Sequence, residues 1–216
     1  MKSLVFHLRE TRVEVHVSIL LLLSYLLYQG WMLNLPAWHI TTGCVILVVS
    51  ILVHEFAHVA AFRRLLGVPS RVWIFAFGGA TIPTQMAWRF RGWKGVLVSL
   101  AGPISNFVLA LLCLLLIAAA SDMVTFELAL TALVLNLSLG AFNLLPSVPF
   151  DGGRVFMEFM LWLLGRFPRL ANAIVVIVGS FCGMALVLAA FYLRDPLLVL
   201  IGLCALYANS PLSRWH

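Results

Sequence analysis

The sequence predicts an all-α polytopic membrane protein with six transmembrane helices and a small membrane-associated β-sheet. Three observations carry that expectation. The 216 residues are 63% apolar and 10% charged, where soluble domains run about 45–50% and about 25%. A globule of this size has too little interior to hide so much apolar surface from water. No Asp, Glu, Lys or Arg occurs between Glu14 and Glu55, a stretch too long for one helical crossing of a layer about 30 Å thick. Lys and Arg also collect on alternate connections, as they do on the cytoplasmic side of membrane spans.

The first two spans cover about 16–34 and 39–62, with Gly30, Asn34 and Pro36 marking the turn between them. The basic residues ahead of the first run resemble a secretory leader. The run is longer than a leader's apolar region and no small-x-small cleavage site follows it, so it reads as a retained span. The third span runs from about 94 to 120. A fourth apolar stretch, 125–164, is broken near 146–153 by Pro146, Pro149, Gly152 and Gly153. The fifth covers 170–193, and a short sixth follows Pro196 over 196–208. The chain, 1–216, reads as a single domain.

Two segments alternate instead of following a helical period. One is Arg12–Val17; the other is Arg71–Phe77, which meets Gly78-Gly79 and predicts a β-hairpin closing near Thr84. Strand edges cannot face lipid unpaired, so such a sheet lies at the interface or under protein cover.

The net charge is +6, with 14 Lys and Arg against 8 Asp and Glu. Lys2, Arg9, Arg12, the six basic residues between Arg63 and Lys94, Arg166, Arg169 and Arg214 fall on one set of connections. Arg194 alone falls on the other. The bias places both termini in the cytoplasm and explains the basic balance without nucleic acid. The expected location is the cell membrane, with lipid as the surrounding partner.

Within the second span stands His54-Glu55-Phe56-Ala57-His58. Histidines at i and i+4 share one helix face, so both rings can reach one ion. A glutamate directly after the first points beside the pair, where it can take a proton from water without binding metal. Ionisable residues inside a span are costly unless they have a task. A catalytic zinc needs a third protein ligand and an open position. The carboxylates available are Asp151 and Glu158 within apolar stretches, and Asp122, Glu127 and Asp195 near their edges. Asp151 stands out through its context, Asn143-Leu-Leu-Pro-Ser-Val-Pro-Phe-Asp-Gly-Gly153, a broken helix with a carboxylate in the break. Broken backbone at membrane depth lines a polar or protein-filled cavity. Asn106, four residues from Gly102 and from Ala110, suits close helix packing or a supporting contact at the site. His7, His16 and His39 lie outside the spans or at their ends, and a ligand role is not expected of them.

His-Glu-x-x-His in one span, with Asn-x-x-Pro-x-x-Pro-x-Asp-Gly-Gly about ninety residues later in another, resembles the site-2 protease family of intramembrane zinc metalloproteases. The likeness extends over nearly the whole chain. Arg71–Thr84 is similar to the family's membrane-associated sheet, and Ala101-Gly-Pro-Ile-Ser-Asn106 to the start of its third conserved helix. The chain resembles a minimal prokaryotic form of the family without PDZ or CBS module. The resemblance implies one zinc per chain on His54, His58 and Asp151, with Glu55 as catalytic acid/base. Asn143 would act at the substrate backbone or transition state. It also implies a transmembrane protein substrate, cut within or near its span as in regulated intramembrane proteolysis. The substrate helix must unwind, and the hairpin offers an edge to the freed backbone. The fifth and sixth spans, with Gly179 and Gly183 one turn apart, are the expected gate. Two rival readings use the same residues: a divalent-metal transporter, which would need a string of sites where one compact cluster is seen, and a relative that binds membrane partners without cutting them.

Overall fold

The computed structural model describes residues 3–8, 10–76, 78–84 and 92–210. Along the chain come β1 (Ser3–Leu8), β2 (Thr11–His16), α1 (Ile19–Met32), α2 (Ala37–Ala61), β3 (Ser70–Phe75) and β4 (Gly78–Pro83). They are followed by α3 (Trp93–Ala119), α4 (Met123–Asn143), α5 (Asp151–Leu163), α6 (Pro168–Leu193) and α7 (Pro196–Asn209). The chain divides into two compact units, Met1–Arg89 with Ala101–Gly140, and Phe90–Leu100 with Ala141–His216.

The first unit contains a four-stranded sheet in the order β1-β2-β3-β4. The expected hairpin is present: β3 and β4 pair antiparallel, Ser70 opposite Pro83 and Phe75 opposite Gly78. Gly78 turns the chain at φ 125°, a conformation that residues with a Cβ rarely adopt. The alternation from Arg12 forms β2, which joins β3 in parallel with Val13 opposite Val72. Val13, Val72 and Ile74 are the buried apolar residues of these two strands, at alternate positions facing one side. Sequence reasoning did not anticipate β1, which pairs antiparallel with β2 and keeps Leu4, Val5 and Leu8 exposed.

Also in this unit, α2 continues through a π-helical turn, Phe62–Leu66, which ends at Gly67 with φ 66°. Thr81 of β4 reaches α2, as described below. Ala110 and Cys113 of α3 and Leu133 of α4 form a small apolar core, with Ile117 and Ala132 against it.

In the second unit, α5 and α6 share a core of Met160, Ala171 and Val175. Helices α6 and α7 approach through glycine. A Cβ at Gly183 would collide with Leu206, and one at Gly202 with Val187, which is how small residues bring helix backbones close together.

Among the described residues, four helices are long and apolar enough to cross a membrane: α2 with its π-turn, α3, α4 and α6. Helices α1 and α7 are apolar but have 14 residues each, about 21 Å of rise at 1.5 Å per residue. The fourth apolar stretch resolves into two helices, and α4 is long enough to cross by itself. Large apolar side chains stay exposed along these helices, Leu115 by 61% and Phe181 by 73%. That surface suits lipid contact, and the chain is a multi-pass membrane protein. Lys2, Arg9, Arg89, Arg91 and Arg214, on which the charge bias partly rests, lie outside the described residues.

Candidate metal centre

One turn of α2 carries the three central residues, and all three are buried: His54 by 95%, Glu55 by 96% and His58 by 94%. The imidazole centroids are 4.9 Å apart at 75°, and the two Nε2 atoms are 3.2 Å apart. Nitrogens about 2.0–2.1 Å from one ion at a tetrahedral angle stand about 3.3–3.4 Å apart. The pair therefore has the spacing of two ligands to a single ion. Opposite it on α3 is Gly102, where an added Cβ would collide with both Nε2 atoms and His54 Cε1. Glycine leaves open the space that an ion would take. The residues present fit zinc.

His54 is also held from behind. Its Nδ1 lies 2.5 Å from Asn106 Oδ1. Asn106 Nδ2 donates to Asn136 Oδ1 at 2.9 Å, and Asn136 Nδ2 donates to Ser50 Oγ at 3.0 Å. Asn106 is fully buried and Asn136 nearly so. The alternatives foreseen for Asn106 were packing and a supporting contact, and here it makes a contact to a candidate ligand.

Glu55 is fixed by the sheet. Thr81 on β4 donates its hydroxyl to Glu55 Oε2 at 2.7 Å and lies 3.1 Å from the Glu55 carbonyl. Two residues earlier, a Cβ at Gly79 would fall 2.5 Å from Glu55 Oε1. The hairpin predicted from Gly78-Gly79 thus has a second reason for its glycine, the close approach of a carboxylate.

Asp151 opens α5 in the second unit, following a turn-rich connection. A Cβ at Gly152 would collide with the Leu144 carbonyl, and one at Gly153 would fall 2.5 Å from Ser147 C. The two glycines let the connection pass directly over the first turn of α5. Ser147, fully buried, fastens that connection: its Oγ donates to Gly179 O of α6 at 3.1 Å and accepts from Asn209 Nδ2 of α7 at 2.9 Å. Asn209 Nδ2 also lies 2.9 Å from Val148 O. Asn143 is the half-buried last residue of α4.

The other carboxylates have structural work. Asp122 precedes α4 and accepts from the Thr125 N–H at 2.9 Å and its hydroxyl at 2.7 Å. Chiefly that backbone N–H holds its carboxyl below the ordinary Asp range. Asp195 caps α7 by accepting from Leu198 N at 3.0 Å, Glu158 accepts from Gly92 N at 2.7 Å, and Glu127 lies 3.8 Å from His39 Nδ1. His16 bonds Ser18 Oγ at 2.8 Å, and His7 is exposed on β1. Sequence reasoning missed Thr81, Asn136, Ser147 and Asn209. The available signal was a polar side chain inside an apolar helix, which marked Asn136 and Asn209.

The model of Peptidase family M50 matches residues 118–187, the stretch that includes Asn143, Asp151 and the glycines after it. A zinc metalloprotease of Methanocaldococcus jannaschii, MJ0392, is 24% identical over 208 residues, 94% of this chain and 58% of the relative. Over residues 118–187 the chain is similar to peptidase family M50. A second relative, the putative zinc metalloprotease Rip3 of Mycobacterium tuberculosis, is 31% identical over 170 residues, 69% of this chain and 41% of the relative. The chain therefore spans about half the length of the curated relatives it matches. The solved site-2 protease from Methanocaldococcus jannaschii superposes with a TM-score of 0.68 at 20% identity, covering 96% of this chain and 94% of that one. The chain thus has the fold of that protease.

Proposed function

We propose that this chain is a member of peptidase family M50 and an intramembrane zinc metalloprotease that hydrolyses a peptide bond within or near the transmembrane segment of a membrane protein. The observation that carries the reading is the buried turn of α2. Two imidazole Nε2 atoms stand 3.2 Å apart, and the carboxylate of the intervening Glu55 is held by a hydroxyl. His54, His58 and Asp151 would hold one zinc. The structural work of Asp122, Asp195, Glu158 and Glu127 supports Asp151 as the third ligand.

Zinc, when bound, supplies a Lewis acid for the scissile carbonyl and lowers the pKa of water toward about 7. Glu55 takes the proton of the attacking water and returns it to the departing amide nitrogen, which then leaves as an amine. Thr81 holds Oε2 of that carboxylate and so orients it. Asn143 donates its amide N–H to the oxygen on which negative charge develops. A peptide bond inside a helix is shielded by its own hydrogen bonds, so the substrate span unwinds before it is cut. The edge of β4 that faces away from β3 receives the extended backbone. In the 70↔83 register, with the Thr84 N–H donating to Pro69 O, alternation turns the backbone groups of Gly79 and Thr81 away from β3. Substrates with Gly, Pro or Asn near the cut are favoured, because those residues weaken a helix.

The reading includes six spans with α1 and α7 among them, both termini in the cytoplasm, and residues 1–216 acting as one catalytic domain. From His54 to Arg63 is about 13 Å along the helix, which supports water entry from the basic side. Helices α6 and α7 serve as the gate. The metalloprotease names of the relatives give no support to the transporter reading. Purified protein incubated with a panel of single-span substrates, with and without chelator, tests the proposal. Cleavage that chelation abolishes is the expected result; no cleavage of any substrate by zinc-loaded protein counts against it.

A further inference from the structure

We propose that Asn106 is a positioning residue for the metal centre: a buried chain of amides holds His54 as the Nδ1–H tautomer and so presents its Nε2 lone pair. The inference rests on the zinc reading above and extends it to groups that touch no ion.

The direction of the chain follows from its far end. Asn136 Nδ2 lies 2.9 Å from Ala132 O, a backbone carbonyl, which can only accept. That end of the Asn136 amide is therefore the NH2 group, and it also donates to Ser50 Oγ at 3.0 Å. Asn136 Oδ1 is then turned toward Asn106, whose NH2 group donates to it at 2.9 Å. What Asn106 has left for His54 is its carbonyl oxygen, 2.5 Å from Nδ1. An amide oxygen has no proton to give, so Nδ1 carries it, and the neutral ring keeps its lone pair on Nε2. Each link fixes the next, from an α4 carbonyl through α3 to the histidine on α2.

Reversing either amide would set two acceptors against each other. Asn106 is 0% exposed, and Ser50 and Asn136 are 2% exposed, so water cannot repair such a clash, and an unmatched polar group there is costly. Ser50 stands one turn before His54 on α2, so the branch to Ser50 and the end at His54 lie on the same helix. This gives Asn106 and Asn136 a task that packing alone does not require. They choose the ring nitrogen offered to the ion and fix the plane of the ring, as second partners of metal-bound histidines do.

Zinc affinity, measured by chelator competition at fixed pH in detergent, tests the proposal alongside 15N NMR of histidine-labelled, metal-free protein. Wild-type His54 is expected to have a proton on Nδ1 and none on Nε2. Asn106→Leu should lower zinc affinity about 10–100-fold, the range seen when such partners are removed, and mix the two tautomers. Asn136→Leu, one residue further from the ring, should act in the same direction by about tenfold. Asn106→Asp keeps an acceptor for Nδ1–H and should lose less affinity than Asn106→Leu, although it buries a charge and turns its second oxygen toward Asn136 Oδ1. A residue that only packs would rank the two variants the other way. An Nε2–H tautomer in the wild type, or an Asp variant as impaired as the Leu variant, would overturn the proposal. If the Nδ1–H tautomer is found in a wild type that binds no zinc, the chain of amides stands and the zinc reading falls.

Discussion

His54 and His58 stand on an unbroken helix and are supported by side chains: an amide behind one ring and a glycine opposite both. Asp151 stands at the head of a helix that follows a turn-rich connection, and its surroundings are held by backbone. Gly152 and Gly153 lie directly under Leu144 and Ser147, and Ser147 fastens the connection to α6 and α7. The difference concerns how a polar residue is placed in an apolar protein. On a continuous helix, periodicity sets the direction and a few buried hydrogen bonds set the rotation. Where the helix is broken, the freed backbone has to be covered, and glycine makes that cover close enough to fix the next residue.

The largest expected effect belongs to the α2 turn. Glu55→Gln keeps shape and removes the proton acceptor, so cleavage should fall at least ~100-fold while zinc stays bound. Near-normal cleavage by this variant would move the proton chemistry elsewhere. On the side of the break, Gly152→Ala forces a methyl onto the Leu144 carbonyl. Its cost should be about 1–3 kcal/mol of stability, read by chemical or thermal unfolding in detergent. An unchanged midpoint would mean that the connection gives way easily, and the contrast drawn above would weaken.

Thr81→Val separates orientation of Glu55 from binding of metal. Loss of one hydrogen bond to a charged group, about 1.5–3 kcal/mol, should lower turnover by about tenfold or more, with zinc content unchanged and Thr81→Ser restoring activity. A variant that instead loses zinc would show that β4 supports the metal ligands as well.

The smallest effect lies outside both regions, at the start of α4. The Thr125 N–H holds the Asp122 carboxyl low. Its contribution is therefore complete above the ordinary Asp pKa of about 3.9 and is lost as pH falls through the lowered value. Asp122→Ala should speed amide exchange at Thr125 near neutral pH and remove the acid dependence of that exchange. Equal exchange in both proteins at neutral pH would deny the cap.

The same contrast explains what could be read from the sequence. His54, Glu55 and His58 needed only a spacing of four, and the β3–β4 hairpin only alternation ahead of two glycines. Asn136 is an amide in the middle of an apolar helix, and its side-chain partners sit on two other helices, so no local pattern announces them. Gly152 and Gly153 were legible as a break in a helix. Their closeness to the Leu144 and Ser147 backbone depends on the path of the preceding connection. Strand β1 has exposed apolar residues and finds its meaning in β2, while 14-residue α1 falls inside its expected span and short of its length, and 14-residue α7 matches its short expected span.

Zinc content per chain, in the wild type and in Asp151→Ala, tests the central claim most directly. The account predicts about one zinc per wild-type chain, since two imidazoles and a carboxylate leave one position open on a tetrahedral ion, and a sharp loss in the variant. Wild-type protein with almost no metal, or an Asp151→Ala variant that holds zinc as tightly as the wild type, would contradict it.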